Sequence, residues 1–179
     1  FCGVKSVSDK LCVACAKHHA LDRVIVAADY NDTLVRRAIH ALKYQGVKGL
    51  AGPLGQLLVK RSLGVIFGSL TSKYEVRLQD IFVIPLPLHP RRLTTRGYNQ
   101  AELLAREVAQ TLGVPMRADI LVRTRATSQQ VGLTGPERRA NLQNAFSLTP
   151  SPLAGEGWGE ANSLHHKTIL LVDDVTTTG

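Results

Sequence analysis

Cysteine is scarce in this chain of 179 residues, and three cysteines cannot pair completely, which argues against a disulfide framework. All three lie in the first fifteen residues, as Cys2, Cys12 and Cys15. The C-x2-C spacing of Cys12 and Cys15 predicts a structural Zn²⁺ site, because two thiolates of a tight turn reach one tetrahedral ion. Cys2 would be the third ligand, with His18, His19 or an upstream cysteine as the fourth. The alternative is three reduced thiols in a short amphipathic segment.

Long apolar runs are also lacking. No stretch of about 18 uncharged apolar residues occurs, which argues against a membrane-spanning helix. No basic-then-apolar signal segment opens the chain. We therefore expect a cytoplasmic protein without a membrane span. The chain begins at Phe1 and ends at Gly179 directly after an apolar run, so we also expect a fragment truncated at both ends.

Aromatic residues are few, at 5%, and none alternates with the arginines in a stacking pattern, which weakens the case for single-strand nucleic-acid binding. The net charge of +8 nevertheless suggests an anionic partner. All nine basic residues between positions 89 and 143 are arginines, whose planar fork suits phosphate oxygens. Residues 144–179 carry one basic and four acidic side chains. A solvated basic surface is the alternative interpretation.

Apolar periodicity predicts a chain of mixed helices and strands. Continuous apolar runs predict strands that are buried on both faces, as in a parallel sheet beneath helices. Asn99, followed by Glu102, predicts a helix start. The predicted elements are strands over 24–28, 81–85 and 168–172, helices over 33–44, 50–63, 100–112 and 136–146, a stiff loop over 88–98, a long loop over 123–135, and a flexible insertion over 150–163.

The end of the last predicted strand combines acids, threonines and glycine. Asp173 and Asp174 follow the strand directly, and the sequence T-T-T-G closes the chain at residues 176–179. Ligands of open α/β sheets bind at the carboxyl ends of strands. There the carboxylates can accept hydrogen bonds from sugar hydroxyls, and hydroxyl and backbone N–H groups can bind a phosphate. A strand end with helix-capping residues is the alternative.

This segment resembles the phosphoribosyl pyrophosphate (PRPP) motif of type I phosphoribosyltransferases, and the wider pattern resembles the competence protein F (ComF) family of that superfamily. The cysteine segment resembles the zinc ribbon at the family's N-terminus. The matching motifs run in order along nearly the whole chain: 42–46 (LKYQG), 87–93 (PLHPRRL), 96–101 (RGYNQA), 123–125 (RTR), Thr127-x-x-Gln130-x-x-Leu133, Arg138-x-x-Asn141, 145–146 (AF) and 171–175 (LVDDV).

The resemblance implies a type I phosphoribosyltransferase-like parallel sheet flanked by helices over 23–179, incomplete at its C-terminus, and a partial zinc ribbon over 1–22. Residues 123–135 occupy the place of a mobile loop that closes over the site. The implied roles are ribose 2′- and 3′-hydroxyl binding by Asp173 and Asp174, 5′-phosphate binding by Thr176, Thr177, Thr178 and Gly179, and pyrophosphate binding by Arg91, Arg92 and Arg96.

The resemblance also implies a reaction, the transfer of a phosphoribosyl group from PRPP with Mg²⁺ to a nitrogen nucleophile. The alternative is a competence or DNA-uptake accessory protein that uses the fold for ligand sensing, or for contact with DNA or a helicase, without catalysis. A third interpretation is a non-catalytic pseudo-enzyme or a truncated gene product.

Overall fold

The computed structural model describes residues 21, 23–67, 77–126, 135–149 and 167–176. These residues form a mixed α/β fold with a small parallel sheet. Short 3-10 turns at Lys48–Leu50 and Leu78–Asp80 precede the second helix and the first strand. The elements are α1 (Thr33–Tyr44), α2 (Ala51–Phe67), β1 (Ile81–Pro85), α3 (Pro90–Arg96), α4 (Gln100–Leu112), β2 (Leu121–Arg123), α5 (Gly135–Leu142), β3 (Phe146–Leu148) and β4 (Thr168–Val172).

Strand β1 is the centre of the parallel sheet. It pairs with β4 in parallel, from Ile81 opposite Thr168 to Pro85 opposite Val172. On its other edge, Val83 accepts a hydrogen bond from the Arg117 N–H (2.8 Å) and donates one to the carbonyl of Pro115 (3.0 Å). All five residues of β1 are buried, as its apolar run predicts. Strands β2 and β3 pair separately and antiparallel.

Helix α4 packs on the sheet, helix α2 packs on α4, and the two helices form the core with the sheet. Gly55 of α2 lies against Glu107 of α4, where an added Cβ would approach the Glu107 Cβ to 2.4 Å. The absence of a side chain at Gly55 therefore sets the distance between the two helices. The core includes buried side chains of α1, α2, β1, α4 and β4, namely Leu42, Val59, Ile81, Val83, Leu104, Val108 and Val172.

The helix predictions for 33–44 and 100–112 are confirmed at both bounds. Asp32 begins α1, because its Oδ1 accepts hydrogen bonds from the N–H groups of Leu34 (2.8 Å) and Val35 (3.2 Å). Gly113 ends α4 in the left-handed conformation, with φ of 65°. The helix expected over 50–63 begins one residue later and continues to Phe67.

Three predictions of local structure were wrong. Residues 24–28 form no strand, because a short apolar run becomes a strand only where a neighbouring strand pairs with it. Part of the expected 88–98 loop is helix α3, since proline is compatible with a first helical turn. The helix expected over 136–146 ends at Leu142, and Asn144 turns the chain with φ of 56° before β3. The predictions for residues 1–20, 127–134 and 150–166 lie outside the described residues.

Candidate functional site

The two parallel strands end side by side, and both predicted sets of binding residues come directly after them. The register pairs Pro85 with Val172, and the N–H of Leu86 donates to the Val172 carbonyl (2.9 Å). The chain after β4 continues into the acid pair, and the chain after β1 continues into the arginines of α3. The sheet therefore brings together at one edge two segments that are more than eighty residues apart in sequence.

The two acids after β4 have different surroundings. The side chain of Asp174 is almost fully buried, at 5% exposed, and its Oδ2 lies 2.9 Å from the Nζ of Lys43 at the end of α1. Asp173 is exposed as a residue, and its Oδ1 accepts a hydrogen bond from the backbone N–H of Asp174 (2.8 Å). Asp173 is therefore the acid of the pair that a ligand can reach.

Although Asp173 is exposed as a residue, protein atoms crowd its carboxyl group. This burial and the neighbouring charge of Asp174 raise the pKa of Asp173 to about 6, against smaller lowering effects of its backbone hydrogen bond and of Lys43. The pair consequently resists carrying two negative charges. A ligand that donates hydrogen bonds or brings positive charge stabilises the doubly ionised pair.

The predicted pyrophosphate arginines lie on and around α3. His89 caps this helix, because its Nδ1 accepts a hydrogen bond from the N–H of Arg91 (3.2 Å). Arg91 is exposed and Arg92 is half-buried. Arg96 already has protein partners, since its guanidinium donates to Gln100 Oε1 (2.6 Å). Of the three, Arg92 is the one whose charge acts on Arg123, a residue that Asp173 also influences.

Arg123, at the end of β2, is a candidate that the sequence interpretation missed. Its guanidinium is half-buried and lies 5.3 Å from the centre of the Phe146 ring. Burial, followed by the positive charge of Arg92, lowers the pKa of Arg123, and Asp173 opposes that change. Arg123 is thus an electrostatic neighbour of both Arg92 and Asp173. The sequence signal that could have identified Arg123 is the RTR motif at 123–125, to which the resemblance assigned no ligand-binding role.

One asparagine connects the strand end to the next long helix. The Nδ2 of Asn99 donates to the carbonyl of Leu86 (3.0 Å), and its Oδ1 accepts from the N–H of Ala101 (3.1 Å) at the start of α4. Asn99 is buried, in keeping with its predicted role as a helix cap. The arginine-bearing segment between β1 and α4 is therefore held at both of its ends.

A second cluster lies between the end of α1 and the start of α4, and we call it the aromatic–cation patch: His40, Tyr44, Lys48, Arg96 and Tyr98. The Arg96 guanidinium lies 5.4 Å from the centre of the exposed Tyr44 ring. The Lys48 Nζ lies 5.0 Å from the Tyr98 ring, and the His40 and Tyr44 rings are 4.8 Å apart. Along the sequence no aromatic residue alternates with the arginines in a stacking pattern, because Tyr44 and Arg96 come from separate segments.

Several predicted ligands cannot be placed. Cys2, Cys12, Cys15, Thr177, Thr178 and Gly179 lie outside the described residues, whereas Thr176 is described and exposed. Among the described residues, no group of three His, Cys, Asp or Glu side chains is arranged to hold a metal ion. A search of the same residues found no helix with the length and apolar character needed to cross a membrane.

Comparison with known proteins identifies the family of the chain. No family model and no solved structure matches the chain. DNA utilization protein YhgH is 33% identical in Escherichia coli O157:H7 and 32% identical in Salmonella typhimurium, in each case over 99% of this chain and 71% of the relative. Competence protein F of Haemophilus influenzae is 33% identical over 94% of this chain and 67% of the relative, and the chain therefore belongs to the competence protein F (ComF) family.

Proposed function

We propose that this chain binds PRPP together with Mg²⁺ and transfers its phosphoribosyl group to a nitrogen nucleophile. The observation that carries the proposal is the parallel register, which brings the arginines after β1 and Asp173 after β4 to one edge of the sheet. The charges of Arg92 and Asp173 both act on Arg123. Open α/β sheets bind their ligands at this edge. A sugar diphosphate fits such a site, because hydroxyls pair with carboxylates and diphosphate oxygens pair with guanidinium groups.

Each of these groups has its own role in the proposed reaction. Asp173 accepts hydrogen bonds from the ribose and opposes the positive charge that develops on the ring. The bond between C1 and the diphosphate oxygen breaks, and its electron pair leaves with the diphosphate. Arg92 and Arg123 stabilise that charge as it develops. The lone pair of the nucleophile forms the new bond to C1, and its proton passes to solvent, since no dedicated general base is evident in the sequence.

The Mg²⁺ ion belongs to the same proposal. This ion takes oxygen ligands and is commonly bound through substrate phosphates and one or two carboxylates. The carboxylate of Asp173 fits that donor set, whereas the Oδ2 of Asp174 already contacts Lys43. When bound, the ion offsets the negative charge of the leaving diphosphate.

Three more detailed assignments belong to the same proposal. They are the type I phosphoribosyltransferase fold, 5′-phosphate binding by residues 176–179, and a zinc ribbon built on Cys2, Cys12 and Cys15. The parallel pairing of β1 with β4 and membership of the ComF family support the first of them. Metal analysis of the purified chain tests the last, with one Zn²⁺ per chain as the expected result.

Calorimetric titration of the chain with PRPP and Mg²⁺ tests the main proposal. We expect saturable binding, weakened about 10- to 100-fold in Asp173→Asn, because hydrogen bonds to a charged group contribute about 1.5–3 kcal/mol. Asp119→Asn is the matched control, since Asp119 is a surface acid paired with Arg117 (2.8 Å). Absence of binding at millimolar PRPP would exclude the proposal.

A second candidate function is the handling of single-stranded DNA, and the aromatic–cation patch is the observation that favours it. Two tyrosine rings with cations beside them match the stacking and charge that single strands require. The relatives named Competence protein F and DNA utilization protein YhgH agree with a competence-related role for this chain.

Fluorescence anisotropy with a labelled oligonucleotide tests this second function. We expect Tyr44→Ala to weaken binding about 5- to 100-fold, because stacking on one base contributes about 1–3 kcal/mol. Tyr30→Ala is the control, since Tyr30 is another exposed tyrosine. We also expect affinity to fall steeply with salt as phosphates are neutralised. Equal affinities of both variants and the unmodified chain would exclude the patch as the binding surface.

A further inference from the structure

Three consecutive residues at the end of α1 contact the two halves of the candidate site. The carbonyl of Leu42 accepts a hydrogen bond from the Tyr98 hydroxyl, and the ring of Tyr44 lies beside the Arg96 guanidinium. Between them, Lys43 contacts Asp174 after β4. The last turn of α1 thus connects the segment that carries the arginines with the segment that carries the acids.

The contact between Lys43 and Asp174 is the most buried of these. The Nζ of Lys43 lies 2.9 Å from the Oδ2 of Asp174, and the two side chains are 21% and 5% exposed. Oδ2 has almost no accessible surface and accepts no hydrogen bond of good geometry within the described part of the chain. A carboxylate buried in this way needs a compensating charge, and the Lys43 ammonium group supplies it.

We propose that Lys43 is a positioning residue of the site, which holds Asp174 as a buried, charged anchor so that Asp173 alone faces the ligand. The two acids then have unequal roles, although they are neighbours in sequence. Asp174 locks α1 onto the end of β4, and Asp173 is the group that contacts the sugar. Where the ligand is PRPP, this inference rests on the function proposed above.

Electrostatics support the same division. Lys43 also lowers the pKa of Asp173, although burial and Asp174 raise it more strongly. Loss of the ammonium group would leave the buried carboxylate of Asp174 without its compensating charge. We expect Asp174 then to move towards solvent, and this movement disturbs Asp173, whose Oδ1 accepts a hydrogen bond from the Asp174 N–H (2.8 Å).

Carboxyl labelling tests the inference without any ligand. Carbodiimide and glycine ethyl ester modify accessible carboxyl groups, and fragment mass spectrometry separates adjacent residues. In the unmodified chain we expect at least tenfold less labelling of Asp174 than of Asp173. Lys43→Met should raise the labelling of Asp174 severalfold, whereas Lys60→Met, on the exposed face of α2, should leave it unchanged. Equal labelling of the two acids in the unmodified chain would overturn the inference.

PRPP affinity tests the consequence for the ligand. We expect Lys43→Met to weaken PRPP binding about tenfold and Lys43→Arg to restore it to within about threefold, since Arg keeps the charge. In an Asp174→Asn background, Lys43→Met should weaken binding less than twofold further, because the pair acts as a unit. A purely structural lysine would lower the melting temperature of Lys43→Met and leave PRPP affinity unchanged, which would contradict a positioning role.

The outcomes separate the two proposals. If the unmodified chain fails to bind PRPP, the proposed function fails, and the labelling experiment still decides the role of Lys43. If the chain binds PRPP and Lys43→Met binds it equally well, the positioning role fails alone. Should Lys43→Met not fold, as judged by circular dichroism, Lys43→Gln is the replacement variant, with the same expected changes in labelling and affinity.

Discussion

Strands β1 and β4 are paired residue by residue, yet they differ in burial. All five residues of β1 are buried, whereas in β4 Ile169 and Leu171 are 39% and 47% exposed. The apolar sequences of the two strands predict that each strand is buried on both faces of the sheet. Within the described residues, β1 has partners on both edges, β4 and the 115–117 segment, and α4 packs more extensively on β1 than on β4. Position in the sheet, more than apolar composition, therefore decides how much of each strand is buried.

The two strands also lead into side chains of opposite charge. Cationic side chains come after β1, and the acid pair comes after β4. Neither end alone matches a sugar diphosphate, because the arginines after β1 offer no acceptors for hydroxyls and the acid pair after β4 offers no positive charge for the diphosphate. The complementary charges become one candidate site only through the parallel register, which aligns Pro85 with Val172.

The largest expected effect is a difference in stability between truncations of the two strands. Ile84 and Leu171 are register partners of similar size, but Ile84 is 5% exposed. We expect Ile84→Ala to lower the free energy of unfolding by about 2–5 kcal/mol, as buried truncations do. Leu171→Ala should cost less than about 1 kcal/mol, because much of that side chain remains in water. Urea denaturation measures both values, and equal losses would contradict the comparison.

The second prediction distinguishes the two strand ends by the part of the ligand that each one binds. Arg92→Met should weaken binding of both inorganic pyrophosphate and PRPP about tenfold, since hydrogen bonds to charged groups contribute about 1.5–3 kcal/mol. Asp173→Asn should weaken PRPP binding but should not weaken pyrophosphate binding in titrations without Mg²⁺, because pyrophosphate has no hydroxyls for the acid to bind. Calorimetry with each ligand gives the four affinities. Loss of pyrophosphate binding in Asp173→Asn would show that the ends are not separable.

The third prediction concerns pH. The pKa of Asp173 is raised from 3.8 to about 6 by burial and by Asp174, so the folded protein holds this proton more tightly than the unfolded chain does. Stability contributed by the protonated acid is therefore lost as pH rises from about 4 to about 6. An asparagine side chain cannot ionise, so Asp173→Asn should melt a few degrees higher than the unmodified chain above about pH 7 and equally near about pH 4. Thermal unfolding in EDTA measures the shift, and parallel pH profiles would refute it.

The smallest effect belongs to the amino ends of the same strands. Lys167 before β4 contacts Asp80 before β1 at 2.8 Å, and the two side chains are 17% and 34% exposed. This partly exposed pair should contribute about 0.2–1 kcal/mol, and less at high salt. Lys167→Met, measured by urea denaturation at low and high salt, should show that small, salt-dependent loss. A loss as large as that of Ile84→Ala would contradict this ranking.

Much of the fold could be predicted from local sequence. Capping by Asn99 located the start of α4, and continuous apolar runs located both strands of the parallel sheet. These signals work because they depend on neighbouring residues. The acid pair was identifiable for the same reason, since two carboxylates directly after a buried strand form a local pattern.

Contacts between distant segments could not be predicted. Arg123 approaches Arg92 and Asp173 only through tertiary structure, and Lys43 reaches Asp174 across 130 intervening residues. The stacking of Arg96 on Tyr44 was missed for this reason as well. Helix α3 was not predicted, although its signal is local. The prolines of this segment predict a stiff loop, whereas Pro90 occupies the first turn of a helix.

The two hydrogen bonds of Asn99 have a consequence for the thermodynamics of binding. The bond to the Leu86 carbonyl joins the ends of the segment that carries Arg91 and Arg92, and the bond from the Ala101 N–H fixes Asn99 to the start of α4. Such a closed segment loses most of its conformational entropy when the protein folds, before any ligand arrives. An anion that binds these arginines therefore meets a preorganised surface, and little of its binding energy is spent on ordering the chain.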